Sequence, residues 1–205
     1  MVVVTMHKAV IFDLGRVLVH FDFQRTYQEL AALCVYPPEE IIGRLAPSGL
    51  LERFETGLIE PREFVTELSR ILNMKIEYED FCRFFNCIFS DLLVPEKVVE
   101  GLASRYRLLL LSNTNAIHFP MLRECYPILR HFHHRVLSYE VKAMKPRPEI
   151  YQAAIELAGC HPSECFYTDD IAEYVEGARR LGIDAVQFES AAKLEKDLRS
   201  RRISW

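Results

Sequence analysis

The chain has 205 residues, half of them hydrophobic, and a formal charge of −4 with a pI near 6.0. That length supports one full hydrophobic core plus a second small module. Lysine and arginine are scattered rather than gathered into a stripe that would track a phosphate backbone, and no stretch approaches the ~18 apolar residues that cross a bilayer, so neither nucleic acid nor membrane is expected as a partner.

In chain order, Met1 to Met6 lacks both a basic leader and a small-residue cleavage site, which gives a cytoplasmic expectation. Residues 8–12 form a short apolar, strand-like run that ends at Asp13, with Gly15 two residues on. A carboxylate just past the end of a buried strand is placed to react rather than to pack. Residues 20–95 read as helices throughout. The clearest runs from Pro61 to Leu72, where Phe64, Val65, Leu68, Ile71 and Leu72 recur at helical spacing; Gln24 to Leu33 and Tyr78 to Phe89 are similar. Four further strand-like runs follow at 107–111, 135–139, 165–168 and 184–188. Between the later ones lie two helical patterns, 148–158 closed by Gly159 and 171–181 closed by Gly182.

Strands alternating with helices predict an α/β fold, a doubly wound parallel sheet. The helical segment 20–95 then reads as a cap inserted after the first strand of a core made of residues 1–19 and 96–205. Its hinges are expected just after Val19 and near Leu93-Val94-Pro95. In such sheets ligands bind beyond the carboxyl ends of the strands, where the winding reverses. Asp13, Ser112 and the Asp169-Asp170 pair all stand at such ends, so one crevice is expected to gather them.

Several features read as structural. The six cysteines form no C-x-x-C pair, and most sit in apolar surroundings where a thiol behaves as a small hydrophobe. His131, His133 and His134 have no cysteine or carboxylate at ligand spacing and read as a surface or helix-end cluster. Arg199-Ser200-Arg201-Arg202 reads as a solvated helix end.

Four segments in order, Phe12-Asp13-Leu14-Gly15-Arg16-Val17, Leu111-Ser112-Asn113-Thr114-Asn115, Met144-Lys145-Pro146 and Tyr167-Thr168-Asp169-Asp170, resemble the motifs of the haloacid dehalogenase superfamily. Nearly the whole chain is covered, and the helical insert looks like the family's first type of cap. Within the family the chain is most similar to the group of α-D-glucose-1-phosphate phosphatases, and Phe54-Glu55-Thr56-Gly57-Leu58-Ile59 resembles a cap segment of that group. The resemblance implies a Mg²⁺-dependent phosphatase acting on a small phosphorylated metabolite, a sugar phosphate among the candidates, as a monomer or homodimer.

It also implies roles. Asp13 is the nucleophile that forms an aspartyl-phosphate. Ser112 donates its hydroxyl to a phosphoryl oxygen beside the backbone N–H of Asn113. Lys145, held at a loop exit by Pro146, offers a point charge to nucleophile and phosphoryl group. Asp13, the Gly15 carbonyl and Asp170 ligate Mg²⁺, and Asp169 ligates it or orients a water.

Three positions depart from the family pattern. Most family phosphatases carry a second aspartate at position 15, where it moves protons; glycine cannot, and losing that help typically costs ~10²–10⁴ in rate. Arg16 replaces an asparagine or glycine and either binds an anion of the substrate or faces solvent. Tyr174 stands where relatives often have an acid or amide. Two other readings therefore stay open: a metal-independent 2-haloacid dehalogenase, and a weakly active or non-catalytic binding protein on the same fold.

Overall fold

The computed structural model describes residues 6–205, so the Met1 to Met6 reading lies almost wholly outside the described residues. Five strands form one parallel sheet: β1 (Ala9–Phe12), β4 (Arg107–Ser112), β5 (His134–Leu137), β6 (Cys165–Asp169) and β7 (Asp184–Gln187), in the order β5-β4-β1-β6-β7. β1 lies at the centre, with Phe12 opposite Leu110 on one side and Thr168 on the other. The strands are continuous apolar runs because both faces are covered. Along them, alternate residues enter different cores. Val10, Phe12, Leu108, Leu110 and Phe166 pack with α6 (Glu96–Ala103), α7 (His118–Cys125) and α11 (Ala191–Ser200). Ala9, Ile11, Leu109, Leu111 and Tyr167 pack with α9 (Pro148–Ala158) and α10 (Ala172–Arg180). The expected doubly wound α/β fold is therefore the one observed.

The strand expected over 135–139 stops at Leu137, because Ser138 opens a one-turn helix, α8 (Ser138–Val141), and bonds its buried hydroxyl to the Thr114 backbone.

Residues 20–95 are not helical throughout. Helices α1 (Phe23–Leu33), α2 (Pro38–Leu45), α3 (Leu50–Glu55), α4 (Pro61–Leu72) and α5 (Tyr78–Phe85) are present, but they are flanked by a short antiparallel ribbon of β2 (Val19–Phe21) and β3 (Phe89–Leu92). The helix expected from Tyr78 to Phe89 thus ends at Phe85. Phe84, Phe85, Ile88 and Phe89 keep an apolar pattern across the break, so hydrophobicity alone does not mark where helix gives way to strand. The helices close on their own core, in which Phe54 stacks on Phe64 with ring centroids 4.0 Å apart, and Phe81 and Phe85 pack beside them. Fully burying each such side chain contributes roughly 1.5–3 kcal/mol.

This layer meets the parallel sheet at the turn after α3. Gly57 has φ +61°, and a Cβ there would lie 2.2 Å from the Tyr139 carbonyl oxygen, so the turn approaches α8 as only glycine can. Arg147 pairs with Glu52 across the same seam at 2.9 Å.

Candidate active site

Asp13 follows β1 directly, and its N–H donates to the Thr168 carbonyl at 3.0 Å, which extends the strand pairing by one residue and fixes where the carboxylate stands. Lys145 lies on the loop before α9. The Asn113 side chain clamps that loop, accepting from the Lys145 N–H at 2.8 Å and donating to the Lys145 carbonyl at 3.1 Å. The ammonium is thereby delivered to a buried position, Nζ lying 2.5 Å from Asp13 Oδ1, 2.6 Å from Asp169 Oδ2 and 3.3 Å from the Leu111 carbonyl. Tyr174 covers it, the ring centroid 5.1 Å from Nζ.

Asp169, at the end of β6, is fully buried and fully engaged. Oδ2 accepts from Lys145 and from the Tyr167 hydroxyl, and Oδ1 accepts from the Ile171 N–H at 2.9 Å. Asp170 is half-buried and turns toward a 260 Å³ chamber shared with Asp13, Arg16, Lys145 and Tyr174. Carboxylate oxygens of Asp13, Asp169 and Asp170 lie within 4.8 Å of one another.

The electrostatics follow from burial. Desolvation pushes the Asp13 carboxyl up to about 7, against the pull of Lys145 and with the help of Asp169. Burial also raises Asp170, and the Asp169 charge adds to it. For Lys145, burial opposes the ammonium, but the two carboxylates outweigh it and hold the lysine charged. Three carboxylates thus exceed the single buried ammonium. Excess buried negative charge on oxygen donors suits a hard divalent cation, and on this test the donor set fits Mg²⁺.

Ser112 ends β4 almost completely buried, with Asn113 beside it. Arg16 adopts φ 57°, a sparsely occupied backbone region for a side chain of its size, and its guanidinium carbon lies 5.0 Å from the Phe21 ring centroid. It lines the chamber of Asp13 and Asp170. At Gly15 an added Cβ would meet the Phe21 ring at 2.4 Å. Phe21 thus fills the space into which a side chain at position 15 would extend. The histidine cluster is dispersed: His131 lies 3.0 Å from Glu96, and His133 accepts from the Leu108 N–H.

Sequence reasoning gave Asn113 only a backbone role, whereas its side chain sets the Lys145 loop. It gave no role to Tyr167 or Glu55, which it met only inside motifs, and passed over Phe21. Glu55 lies at the end of α3 and lines both the Asp13 chamber and a second chamber of 310 Å³ beneath the helical layer; Gly15, Phe21 and Asn113 line both as well. Burial pushes Glu55 up to about 7. An acid placed just before a conformationally special glycine was the available signal, because the turn at Gly57 aims that segment at the sheet.

Comparison with known proteins gives the family. The haloacid dehalogenase-like hydrolase family model matches residues 7–182. The chain is 27% identical over 202 residues to a D-ribitol-5-phosphate phosphatase of Bacteroides thetaiotaomicron, covering 94% of this chain and 97% of that protein. A phosphatase of Mycobacterium tuberculosis is 30% identical over 187 residues, with 86% and 85% covered. The crystal structure of a haloacid dehalogenase family enzyme from Bacteroides thetaiotaomicron, in complex with magnesium and inorganic phosphate, superposes with a TM-score of 0.80 at 28% identity, over 90% of this chain and 95% of that one. With motifs, topology and family model in register, the chain belongs to the haloacid dehalogenase-like hydrolases.

Proposed function

We propose that this hydrolase is a Mg²⁺-dependent phosphatase that cleaves a small phosphomonoester through an aspartyl-phosphate on Asp13. The observation that carries the reading is the meeting of Asp13, Lys145, Asp169 and Asp170 at the carboxyl ends of adjacent strands, with three carboxylates within 4.8 Å and one buried ammonium among them. Relatives named as phosphatases, and a similar enzyme crystallised with magnesium and phosphate, support the same chemistry.

In this reading Asp13, Asp170 and the Gly15 carbonyl hold the cation, which when bound neutralises charge on the transferring phosphoryl group. Asp169 has both oxygens occupied by Lys145, Tyr167 and the Ile171 N–H, so it serves mainly to hold Lys145 in place. The Asp13 oxygen attacks phosphorus while the bond to the leaving oxygen breaks. Ser112 Oγ and the Asn113 N–H donate to equatorial phosphoryl oxygens, and Lys145 Nζ offsets their charge. Water then attacks phosphorus, releasing phosphate and restoring the carboxylate. Gly15 moves no proton, so the leaving alcohol takes its proton from solvent or substrate. Arg16 supplies a second cationic contact at the chamber wall. The helical segment within 20–95 acts as a cap, hinging near Val19 and Leu93 to Pro95, that excludes water during transfer.

The test is metal dependence. A chelator should abolish hydrolysis of an aryl phosphate, and added Mg²⁺ should restore it. Full activity in excess chelator would favour a metal-independent hydrolase instead.

A further inference from the structure

Resting on the reading that Asp13 carries the phosphoryl group, the buried side of the site shows how the charge on Lys145 is divided. The ammonium has three protons and three acceptors: Asp13 Oδ1 at 2.5 Å, Asp169 Oδ2 at 2.6 Å and the Leu111 carbonyl at 3.3 Å. Two of the three are carboxylates, and they differ in kind. The Asp13 oxygen loses its charge as it bonds to phosphorus, whereas Asp169, fully buried, takes no part in bond making. Asp169 therefore competes with the phosphoryl oxygens for one ammonium at every stage of the reaction.

Tyr167 tempers that competition. In β6, Tyr167 and Asp169 stand two residues apart and so face the same side of the sheet, which brings the phenol hydroxyl to Oδ2, the oxygen that also holds Lys145. The ring is fully buried between Ile11 of β1 and Ala185 of β7 and meets the Tyr151 ring edge-on at 6.1 Å, so the hydroxyl has a fixed place. Its core is otherwise hydrocarbon, with Ala154, Val175 and Ala178 in it. Phenylalanine would fill that core equally well. A buried hydroxyl is costly there unless a partner accepts its proton, and Asp169 is that partner. The other oxygen, Oδ1, accepts from the Ile171 N–H at 2.9 Å. A hydroxyl donating to a charged oxygen makes one of the stronger hydrogen bonds, and it offsets part of the negative charge that the ammonium would otherwise face alone. We propose that Tyr167 is a positioning residue that acts through Asp169: its hydroxyl weakens the hold of Asp169 on Lys145 and lets the ammonium follow charge from Asp13 onto the phosphoryl oxygens.

The test is a graded series of donors at position 167, with tyrosine, 4-aminophenylalanine and phenylalanine compared on an aryl phosphate with Mg²⁺ present. Without the hydroxyl, Oδ2 draws the ammonium toward Asp169 and away from the reacting atoms. That contact is stronger in the transition state than in the bound ester, so kcat and kcat/KM should fall together. For Tyr167→Phe the expected loss in kcat is roughly 10-fold at unchanged KM, the scale of one hydrogen bond to a charged group. The aniline, a weaker donor than the phenol, should lie between. Tyr151→Phe removes the hydroxyl of the neighbouring ring, which donates to the Tyr174 carbonyl rather than to Asp169, and should leave kcat near the wild-type value. A role confined to packing would lower the melting temperature of Tyr167→Phe and keep its kcat. That result, a loss carried by KM alone, or an equal loss in Tyr151→Phe would overturn the inference, while Mg²⁺-dependent turnover by the wild type keeps the phosphatase reading intact. Should Tyr167→Phe fail to fold, the aminophenylalanine form decides: reduced kcat at unchanged KM supports the inference, and kcat at the wild-type level overturns it. No Mg²⁺-dependent turnover by the wild type would overturn both.

Discussion

At the scale of single residues, the central feature is a buried ammonium between two carboxylates. Lys145 is 3% exposed, and its contacts to Asp13 and Asp169 satisfy charges that water cannot reach. Replacing it with methionine keeps the bulk but leaves both carboxylates uncompensated, which typically costs ~3–5 kcal/mol. Lys145→Met should therefore shift the urea midpoint strongly downward and abolish hydrolysis; a variant of wild-type stability would mean that the pair is not buried as described. Gly15 supports a second expectation. Because an added Cβ would meet the Phe21 ring at 2.4 Å, restoring the family's proton-moving acid by Gly15→Asp alone should give no gain in kcat on an alkyl phosphate. Combined with Phe21→Ala, the new acid has room, and part of the ~10²–10⁴ associated with acid–base help should appear. Acceleration by the single change would show that Phe21 does not hold that space.

At the scale of elements, the parallel sheet supplies the positions and the turn after α3 packs against α8 beside the site. Gly57→Ala adds a methyl group against a backbone carbonyl, at a φ that L residues rarely adopt. A cost of ~1–3 kcal/mol is expected. Because Glu55, two residues before Gly57, lines the Asp13 chamber, KM should rise along with the fall in melting temperature; an unchanged KM would detach the turn from substrate binding. The parallel strands were legible because they are continuous apolar runs ending in reactive residues, and α4 and α9 because their buried positions repeat at helical spacing. The ribbon of β2 and β3 was not, since each strand has only three or four residues beside helices of similar hydrophobicity. Asp13, Lys145 and the twin acids could be singled out from motif order. The Asn113 clamp, the full occupation of Asp169 and the Phe21 contact with Gly15 depend on pairs distant in the chain, and no local pattern encodes them.

At the scale of the whole molecule, both ends of the described chain meet at Asp184, the first residue of β7. His7 lies 3.0 Å from it before β1, and Arg201 after α11 grips both of its oxygens at 2.7 and 2.9 Å. Burial alone would raise this carboxyl, but the hydrogen bonds from His7 and Arg201 prevail and pull it from 3.8 to about 2. A carboxyl depressed on folding stabilises the protein above its unfolded pKa, and that contribution is lost as pH falls through the folded value. Acid unfolding between about pH 4 and pH 2 should therefore be less steep in Asp184→Asn than in wild type. The partly exposed site limits the effect to about 1 kcal/mol, and identical acid profiles would remove Asp184 from the ledger of acid stability. Within this frame the two chambers share Gly15, Phe21, Glu55 and Asn113 as walls, so that residues of both the sheet side and the helical layer line them. The claim on which everything rests is that Asp13 becomes covalently phosphorylated. Its most direct measurement is acid quenching during turnover of an aryl phosphate with Mg²⁺, followed by mass analysis of the peptide containing Asp13. A phosphoryl increment on that residue, absent in Asp13→Asn, is the predicted result; turnover with no increment on that peptide, or an Asp13→Asn variant as fast as wild type, would contradict it.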